Sequence, residues 1–352
     1  MLNKILFKIF GLFDLIKDFF VHWGIRILVV LFVCIIAHNV LKMGEISSRY
    51  QGQYKKLVPV YEEEDKFMNV YQVGEGDKTI VILAGFGSQS PVIQYKTLID
   101  GLKDSYKVVV VEYFGYGYSM SMRKHPRTNE NIAHEIKTTL EVAEIPGPYV
   151  LMPHSLSNVY AMKFQQNYPE LVQAIISLDG KYPQELNEDY YQTQIKEWIS
   201  NINITSIFEL TGYERVLSYV SPEVFYINTM KSMTDVYGEE EIKVYRNRIG
   251  SQYLSRTMIR EINKVEDNLN EMKEYVYPDY LPVLQILSQD TVNTYNSVKE
   301  SGEATVNLTD LAEILITNPV IQKVEVLQGE HMIHLTNAEA INNSIKNFLY
   351  SL

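Results

Sequence analysis

Short apolar runs alternate with amphipathic stretches along most of the chain, starting near Asp65. The runs lie at residues 67–73, 79–83, 107–112, 149–152, 174–178, 283–287 and 323–327. Such runs are typical of strands buried on both faces, whereas residues 128–143 and 338–349 follow a helical spacing. Strands that alternate with helices indicate an α/β fold, with a mostly parallel central sheet flanked by helices.

The strand pattern stops between residues 181 and 279. Long polar stretches with helical spacing replace it, and they are rich in Glu, Lys, Asn and Tyr. The strand pattern resumes at Pro282. We therefore predict a helical cap over residues 181–279, inserted between two parts of the core at residues 60–180 and 280–352.

The first 45 residues follow a different pattern. Residues 27–37 read ILVVLFVCIIA, and residues 1–20 place apolar side chains at helical spacing with charged ones between them. A helix that crosses a bilayer needs about 20 mostly apolar residues, so this run is near the lower limit. We predict an amphipathic helix at a membrane face, followed by an N-terminal transmembrane anchor, over residues 1–45.

Two other interpretations of this segment remain open, a helical hairpin buried against the domain and a cleaved signal peptide. The signal peptide is disfavoured because no clear small-x-small cleavage site follows the apolar run. Basic residues precede the run at Lys4, Lys8, Lys17 and Arg26. This slight bias favours a single-pass protein of the cell membrane with its N-terminus inside and its globular domain outside the cytoplasm.

Composition narrows the classes of partner and cofactor. The chain has 352 residues, of which 46% are hydrophobic and 21% charged, so it can form a large buried core. Its net charge of -11 comes without a basic stripe, which argues against a nucleic-acid partner. The single cysteine, Cys34, can build neither a disulfide framework nor a thiolate metal site.

The most informative motif surrounds Ser155. A predicted strand runs into PHSLS and a helical stretch follows at once, which is the context of a nucleophile elbow. In such an elbow a strained turn exposes the serine hydroxyl beside the first amides of the helix. Ser157 is small, as the tight turn requires, but Pro153 stands where glycine is usual. A helix N-cap is the competing role for Ser155.

Together with four other segments, the elbow resembles the α/β-hydrolase family. The resemblance covers residues 67–349 apart from the cap. The other segments, in the order that the family has them, are LAGFGSQSP at 83–91, VEYFGYGYS at 111–119, PVLQILSQD at 282–290 and GEHMIHLTNAEAI at 329–341. Three departures accompany Pro153: Ala84 replaces the family's His, Glu112 replaces its Asp, and Glu330 alone separates Gly329 from His331, where the family has two residues.

This resemblance implies a Ser-His-Asp triad. Ser155 would be the nucleophile and His331 its base, with His334 as a less favoured candidate. Asp290 is the preferred acid because it follows a late strand in the chain order Ser, Asp, His. Asp179, after the strand that follows the elbow, is the alternative acid.

The oxyanion hole is implied by the same family pattern. Its donors would be the backbone N–H groups of Leu156, which follows the nucleophile, and of Phe86, which follows Gly85. Backbone donors leave little mark on a sequence. Here the only mark is the pair Gly85 and Gly87, which permits the loop to adopt the required shape.

The resemblance implies a serine hydrolase that cleaves a carboxylic ester, or less readily an amide, through an acyl-enzyme. No metal or organic cofactor is expected. The expected partners are a small-molecule ester or acyl substrate and a membrane bound through the N-terminal helix. A membrane-tethered binding protein that has lost turnover is the alternative. Fold members that open epoxides or remove halogens use an aspartate nucleophile, so Ser155 disfavours their chemistry.

Overall fold

The computed structural model describes two long stretches of the chain, residues 54–209 and 254–352. It also describes residues 17, 19, 21, 23–34, 37, 237–239, 241, 242, 244 and 245. The chain divides into two compact units, Met1–Arg49 and Tyr50–Leu352. The site considered below lies in the second unit.

An eight-stranded sheet forms the centre of the second unit, in the order β1-β2-β4-β3-β5-β6-β7-β8. Its strands are β1 (Leu57–Tyr61), β2 (Lys66–Val73), β3 (Thr79–Leu83), β4 (Lys107–Glu112), β5 (Tyr149–Pro153), β6 (Val172–Leu178), β7 (Val283–Ser288) and β8 (Gln322–Leu327). Strand β2 is antiparallel to both of its neighbours, and the pairs from β4 to β8 are parallel. The predicted, mostly parallel sheet is therefore confirmed.

Helices flank both faces of this sheet, and others belong to the predicted cap region. They are α1 (Pro91–Gln94), α2 (Lys96–Leu102), α3 (Asn129–Val142), α4 (Ser157–Asn167), α5 (Asp189–Glu209), α6 (Arg256–Ile262), α7 (Val265–Glu271), α8 (Gln289–Ser301), α9 (Leu308–Ile314), α10 (Ile333–Thr336) and α11 (Ala338–Tyr350). The predicted helices at 128–143 and 338–349 correspond to α3 and α11.

Strand β3 shows why the central strands are continuously apolar. All five of its residues are buried, and successive side chains point to opposite faces. Val81 belongs to the core with Ile136 of α3, whereas Ile82 belongs to the second core with Ile99 of α2 and Ile345 of α11. A strand packed on both faces has no polar alternation, which is why the run TIVIL predicts it directly.

The predicted cap region is helical where the structure describes it. Between residues 181 and 279 the described residues form α5, α6, α7 and a short 3₁₀ helix at Pro183–Asn187, and they contain no strand. Trp198 of α5 packs edge-on against Phe86, with ring centroids 5.4 Å apart. This contact brings α5 to the loop that follows β3. The exact domain boundaries stay a prediction.

The N-terminal unit is described only in part. Residues 23–34 are helical, and most of the predicted amphipathic helix over residues 1–20 lies outside the described residues. In the portion of the chain that the structure describes, no helix combines the length and the apolar content needed to cross a bilayer.

Candidate active site

Ser155 lies on a sharp turn between β5 and α4. Its backbone φ is +53°, a left-handed conformation that costs a non-glycine residue about 1–3 kcal/mol. Two hydrogen bonds to the neighbouring strands hold the turn. The His154 amide donates to Leu83 O of β3 at 3.0 Å, and the Ser155 amide donates to Leu178 O of β6 at 3.1 Å. The strained geometry of a nucleophile elbow is thus present at this serine.

Pro153 is accommodated because its missing N–H falls at a gap in the sheet. The His154 amide points to β3, so the preceding residue faces β6. The register between β5 and β6 runs to Leu151↔Ile175, and the strands meet again only at the isolated bridge His154↔Leu178. A proline on that side breaks no ladder hydrogen bond.

Gly85 lets the loop after β3 pass close to the elbow. A Cβ at this position would lie 2.6 Å from His154 Nδ1 and 3.2 Å from Ser155 Cβ. Contacts of that length would force the loop away from the nucleophile. Glycine is therefore required here by close approach, and the next residue, Phe86, is held beside Ser155.

His331 connects the serine to a carboxylate. Its Nε2 lies 3.0 Å from Ser155 Oγ, and its Nδ1 lies 2.7 Å from Asp179 Oδ2. Because a carboxylate accepts, a neutral His331 carries its proton on Nδ1, and Nε2 is left to accept the Ser155 hydroxyl proton. The structure thus brings Ser155 and His331 together as the sequence predicted.

Asp179 follows β6 and is buried. Besides His331, it accepts from the Ser288 amide at 2.8 Å, from Ser288 Oγ at 2.9 Å and from Thr291 Oγ1 at 2.6 Å. Burial alone would raise the pKa of Asp179, but the hydrogen bond and charge of His331, with the Thr291 and Ser288 bonds, outweigh it. The pKa of Asp179 therefore lies below its ordinary value.

The structure contradicts the preference for Asp290, because Asp179 occupies the position beside His331. Asp290 lies in the first turn of α8 and is exposed, and it makes no hydrogen bond to His331. The loop after β7 instead supplies Ser288 and Thr291, which orient Asp179. Sequence reasoning gave neither residue a role, because a serine that caps a helix and a threonine in its first turn are common features.

His334 is buried, and Ser155 and Asp179 make their histidine contacts with His331 instead. Its ring stacks on Tyr95 at 4.1 Å, and neither ring nitrogen has a hydrogen-bond partner among the described residues. Burial is the first cause that lowers its pKa well below the usual range, followed by the charges of His154 and His331. This histidine is therefore neutral near pH 7.

The amides of Phe86 and Leu156 are available to an external acceptor. Neither N–H donates to another group within the described part of the chain. Leu156 adopts a helical conformation directly before α4, and Phe86 follows Gly85. Both amides therefore lie on segments that flank Ser155, as the predicted oxyanion donors should.

A cavity of about 780 Å³ opens above Ser155 and His331. Its walls are mostly apolar and aromatic, formed by Phe86, Trp198, Ile202, Leu254, Tyr295, Leu308 and Met332. The polar lining includes Gln89, Lys181, Asp290, Thr294 and Glu330, and Lys181 is paired with the buried Glu185. No cluster of His, Cys, Asp and Glu that could hold a metal ion occurs among the described residues.

The chain has the α/β-hydrolase fold. No family model matches it, but an esterase from Thermogutta terrifontis superposes with a TM-score of 0.57 at 15% identity, over 84% of this chain and 98% of that one. The Cif epoxide hydrolase from Acinetobacter nosocomialis gives a TM-score of 0.61 at 15% identity, over 88% and 96%. At this identity the likeness concerns the fold.

One curated relative is similar in sequence over most of its length. It is the uncharacterized protein YbdG of Bacillus subtilis (strain 168), which is 28% identical over 286 residues. The match spans 80% of this chain and 82% of that protein.

Proposed function

We propose that this protein is a serine hydrolase that cleaves a carboxylic ester through an acyl-enzyme. The observation that carries the proposal is the continuous hydrogen-bonded chain from Ser155 Oγ through His331 to Asp179. A serine hydroxyl is a weak nucleophile until an adjacent base removes its proton. His331 Nε2 is within proton-transfer distance of that hydroxyl, so the base is already in place.

The reaction proceeds in two halves. Ser155 Oγ attacks the ester carbonyl carbon while its proton passes to His331 Nε2, and the negative oxygen accepts from the amides of Phe86 and Leu156. Collapse of this intermediate breaks the bond to the alcohol, which leaves with the proton from His331. Water then attacks the acyl group, giving a proton to His331, and Ser155 Oγ departs and takes that proton back.

Asp179 stabilises the charged form of His331 in both halves. Its Oδ2 accepts from Nδ1, which fixes the tautomer and offsets the positive charge that develops on the imidazole. The depressed pKa of Asp179 keeps the carboxylate ionised at neutral pH, so its charge is present throughout the cycle.

The substrate side of the proposal follows from the cavity. Its aromatic and aliphatic walls favour an ester with an apolar acyl or alcohol group. The fold neighbours include proteins named as an esterase and as an epoxide hydrolase. Ester cleavage is favoured over epoxide opening because the elbow carries Ser155, and epoxide opening in this fold uses an aspartate nucleophile.

A fluorophosphonate probe tests the proposal, because it reacts readily with a serine that an adjacent base activates. Purified protein is expected to be labelled, and Ser155→Ala of equal thermal stability is expected to resist labelling. Hydrolysis of p-nitrophenyl esters of graded chain length, with the same control, then measures the preferred acyl length. A well-folded protein that neither labels nor hydrolyses any ester would instead support a binding protein without turnover.

We also propose that the N-terminal segment attaches the protein to the cell membrane, with the globular domain outside the cytoplasm. The apolar side chains described between residues 23 and 34 are each about half exposed or more, from 48% for Trp23 to 66% for Leu28. Flotation of the full chain with phospholipid vesicles tests attachment, and Leu28→Glu with Val30→Glu is the control. Full chain that stays in the aqueous fraction would overturn this proposal.

A further inference from the structure

Behind His331 lies a group of buried rings, His154, His334 and Tyr95, which we call the buried ring cluster. Each is at most 2% exposed. The rings of His334 and Tyr95 stack at 4.1 Å, and the ring of His154 meets that of His334 at 4.8 Å, nearly perpendicular. None of these side chains takes part in the proposed chemistry.

His154 holds the backbone of the base. Its Nε2 lies 3.0 Å from the carbonyl oxygen of His331. Because a carbonyl can only accept, Nε2 carries the proton and Nδ1 does not. Burial, followed by the charge of His331, lowers the pKa of His154 to about 3, so the ring is neutral near pH 7 and keeps this single donor.

This hydrogen bond acts beside a ring contact, since the ring centroids of His154 and His331 lie 4.9 Å apart. The His331 side chain is 49% exposed, so water competes for its ring nitrogens. The anchored carbonyl belongs to the same residue, and it lies on the buried side of the segment between β8 and α10. Restraining this carbonyl limits the rotation of the His331 backbone, and with it the arc that the imidazole can sweep away from Ser155.

The buried ring cluster also contacts the opposite side of the site. The Gly85 amide donates to Tyr95 Oη at 3.3 Å, and Phe86, the proposed oxyanion donor, is the next residue. Gly85 itself leaves space for the His154 ring, whose Nδ1 would lie 2.6 Å from an added Cβ. The same rings therefore contact the segment of His331 and the segment that carries Phe86, one of the two proposed oxyanion donors.

We propose that His154 is a positioning residue, which acts through its Nε2–H bond to the His331 carbonyl and keeps the imidazole between Ser155 and Asp179. This inference rests on the proposed function for its kinetic consequence. It assigns a role to the residue directly before Ser155 in the elbow. The bond is neutral, so its loss should cost about tenfold in rate, or roughly 1.4 kcal/mol.

The test compares His154→Met with His154→Gln. The two side chains have similar size and reach, but only glutamine can donate a hydrogen bond. His154→Met is expected to lower kcat and the rate of fluorophosphonate labelling about tenfold with KM nearly unchanged, and His154→Gln is expected to recover most of this loss. Equal rates for the two variants, at equal thermal stability, would overturn the proposal.

A second variant and a second readout keep the test decisive. If His154→Met does not fold, His154→Asn takes its place, because asparagine is polar but too short to reach the carbonyl as Nε2 does. Amide hydrogen exchange over residues 328–335 needs no turnover, and it should be faster in the variant without the donor than in His154→Gln. A wild-type protein without activity would refute the proposed function, whereas unchanged exchange would refute the positioning role.

Discussion

Replacing Asp179 by asparagine should nearly abolish turnover while leaving the shape of the site intact. Asp179 Oδ1 accepts a hydrogen bond from the Ser288 amide. Because this amide can only donate, the side-chain oxygen of the asparagine must occupy the Oδ1 position. The side-chain nitrogen then takes the place of Oδ2 and donates toward His331 Nδ1. Nδ1 must accept, the proton moves to Nε2, and Nε2 can no longer remove the Ser155 proton.

The expected loss follows from this change of tautomer. The same substitution in a Ser-His-Asp triad lowers kcat by about 10⁴, which corresponds to roughly 5.4 kcal/mol of transition-state stabilisation. Asp290→Asn is the matched comparison, since it makes the same chemical change on the other candidate acid, an exposed carboxylate that lines the cavity but makes no hydrogen bond to His331. It should alter kcat by less than about threefold, because its effect on the site is limited to screened charge.

The assay is steady-state hydrolysis of the best p-nitrophenyl ester, with circular dichroism to show that each variant is folded. Fluorophosphonate labelling at equal concentration gives an independent rate for the attack by Ser155. An Asp179→Asn variant within tenfold of wild type, or an Asp290→Asn variant as slow as Asp179→Asn, would refute the assignment of Asp179.

Three further predictions concern the groups around this site and the core. Thr291→Val removes one of the four donors to Asp179, so kcat should fall about tenfold with KM unchanged, and Thr291→Ser should restore it. The pKa of His154 is about 6.5 in the unfolded chain and about 3 in the folded protein, so between these pH values the unfolded chain binds the extra proton. The free energy of unfolding should therefore fall as the pH decreases through this window. In urea titrations, His154→Gln should reduce this pH dependence by up to about 1.4 kcal/mol per pH unit. Arg127→Met leaves the buried carboxylate of Glu135 without its partner and should cost about 3–5 kcal/mol in denaturant unfolding, whereas Glu135→Met added to it should restore most of the loss.

The central sheet could be predicted from sequence because a strand that is buried on both faces is a continuous apolar run. The runs at 79–83 and 107–112 coincide with β3 and β4, since no polar residue interrupts them. Strand β1 escapes such a prediction because LVPVY contains a proline, alternates between exposed and buried positions and lies at the edge of the sheet. Proline is tolerated at an edge, but it removes the usual sign of a strand.

The positions of the proposed nucleophile and the proposed base could be predicted for a related reason. Ser155 lies between a strand and a helix, and this order along the chain marks the turn, which hydrogen bonds to Leu83 O and Leu178 O then hold. His331 follows a strand and a glycine near the end of the chain. The oxyanion amides could be proposed only through the family resemblance, because an amide carries no side chain by which a sequence could mark it.

The acid could not be chosen from sequence because two strands end at the same edge of the sheet. Strands β6 and β7 are parallel neighbours, so the residues that follow both of them lie at the same edge of the sheet. Asp179 and Asp290 also satisfy the same chain order, after the serine and before the histidine.

Only the contacts separate them: the left-handed turn at Asp179, with φ of +42°, directs its carboxylate inward, whereas α8 begins at Gln289 and carries Asp290 outward into solvent. The Ser288 backbone and the hydroxyls of Ser288 and Thr291 then satisfy the buried carboxylate from the place where the sequence predicted the acid itself. The loop that supplies hydrogen-bond donors therefore decides which of the two carboxylates is buried beside His331. Serine and threonine donors are too common in sequences to show this in advance.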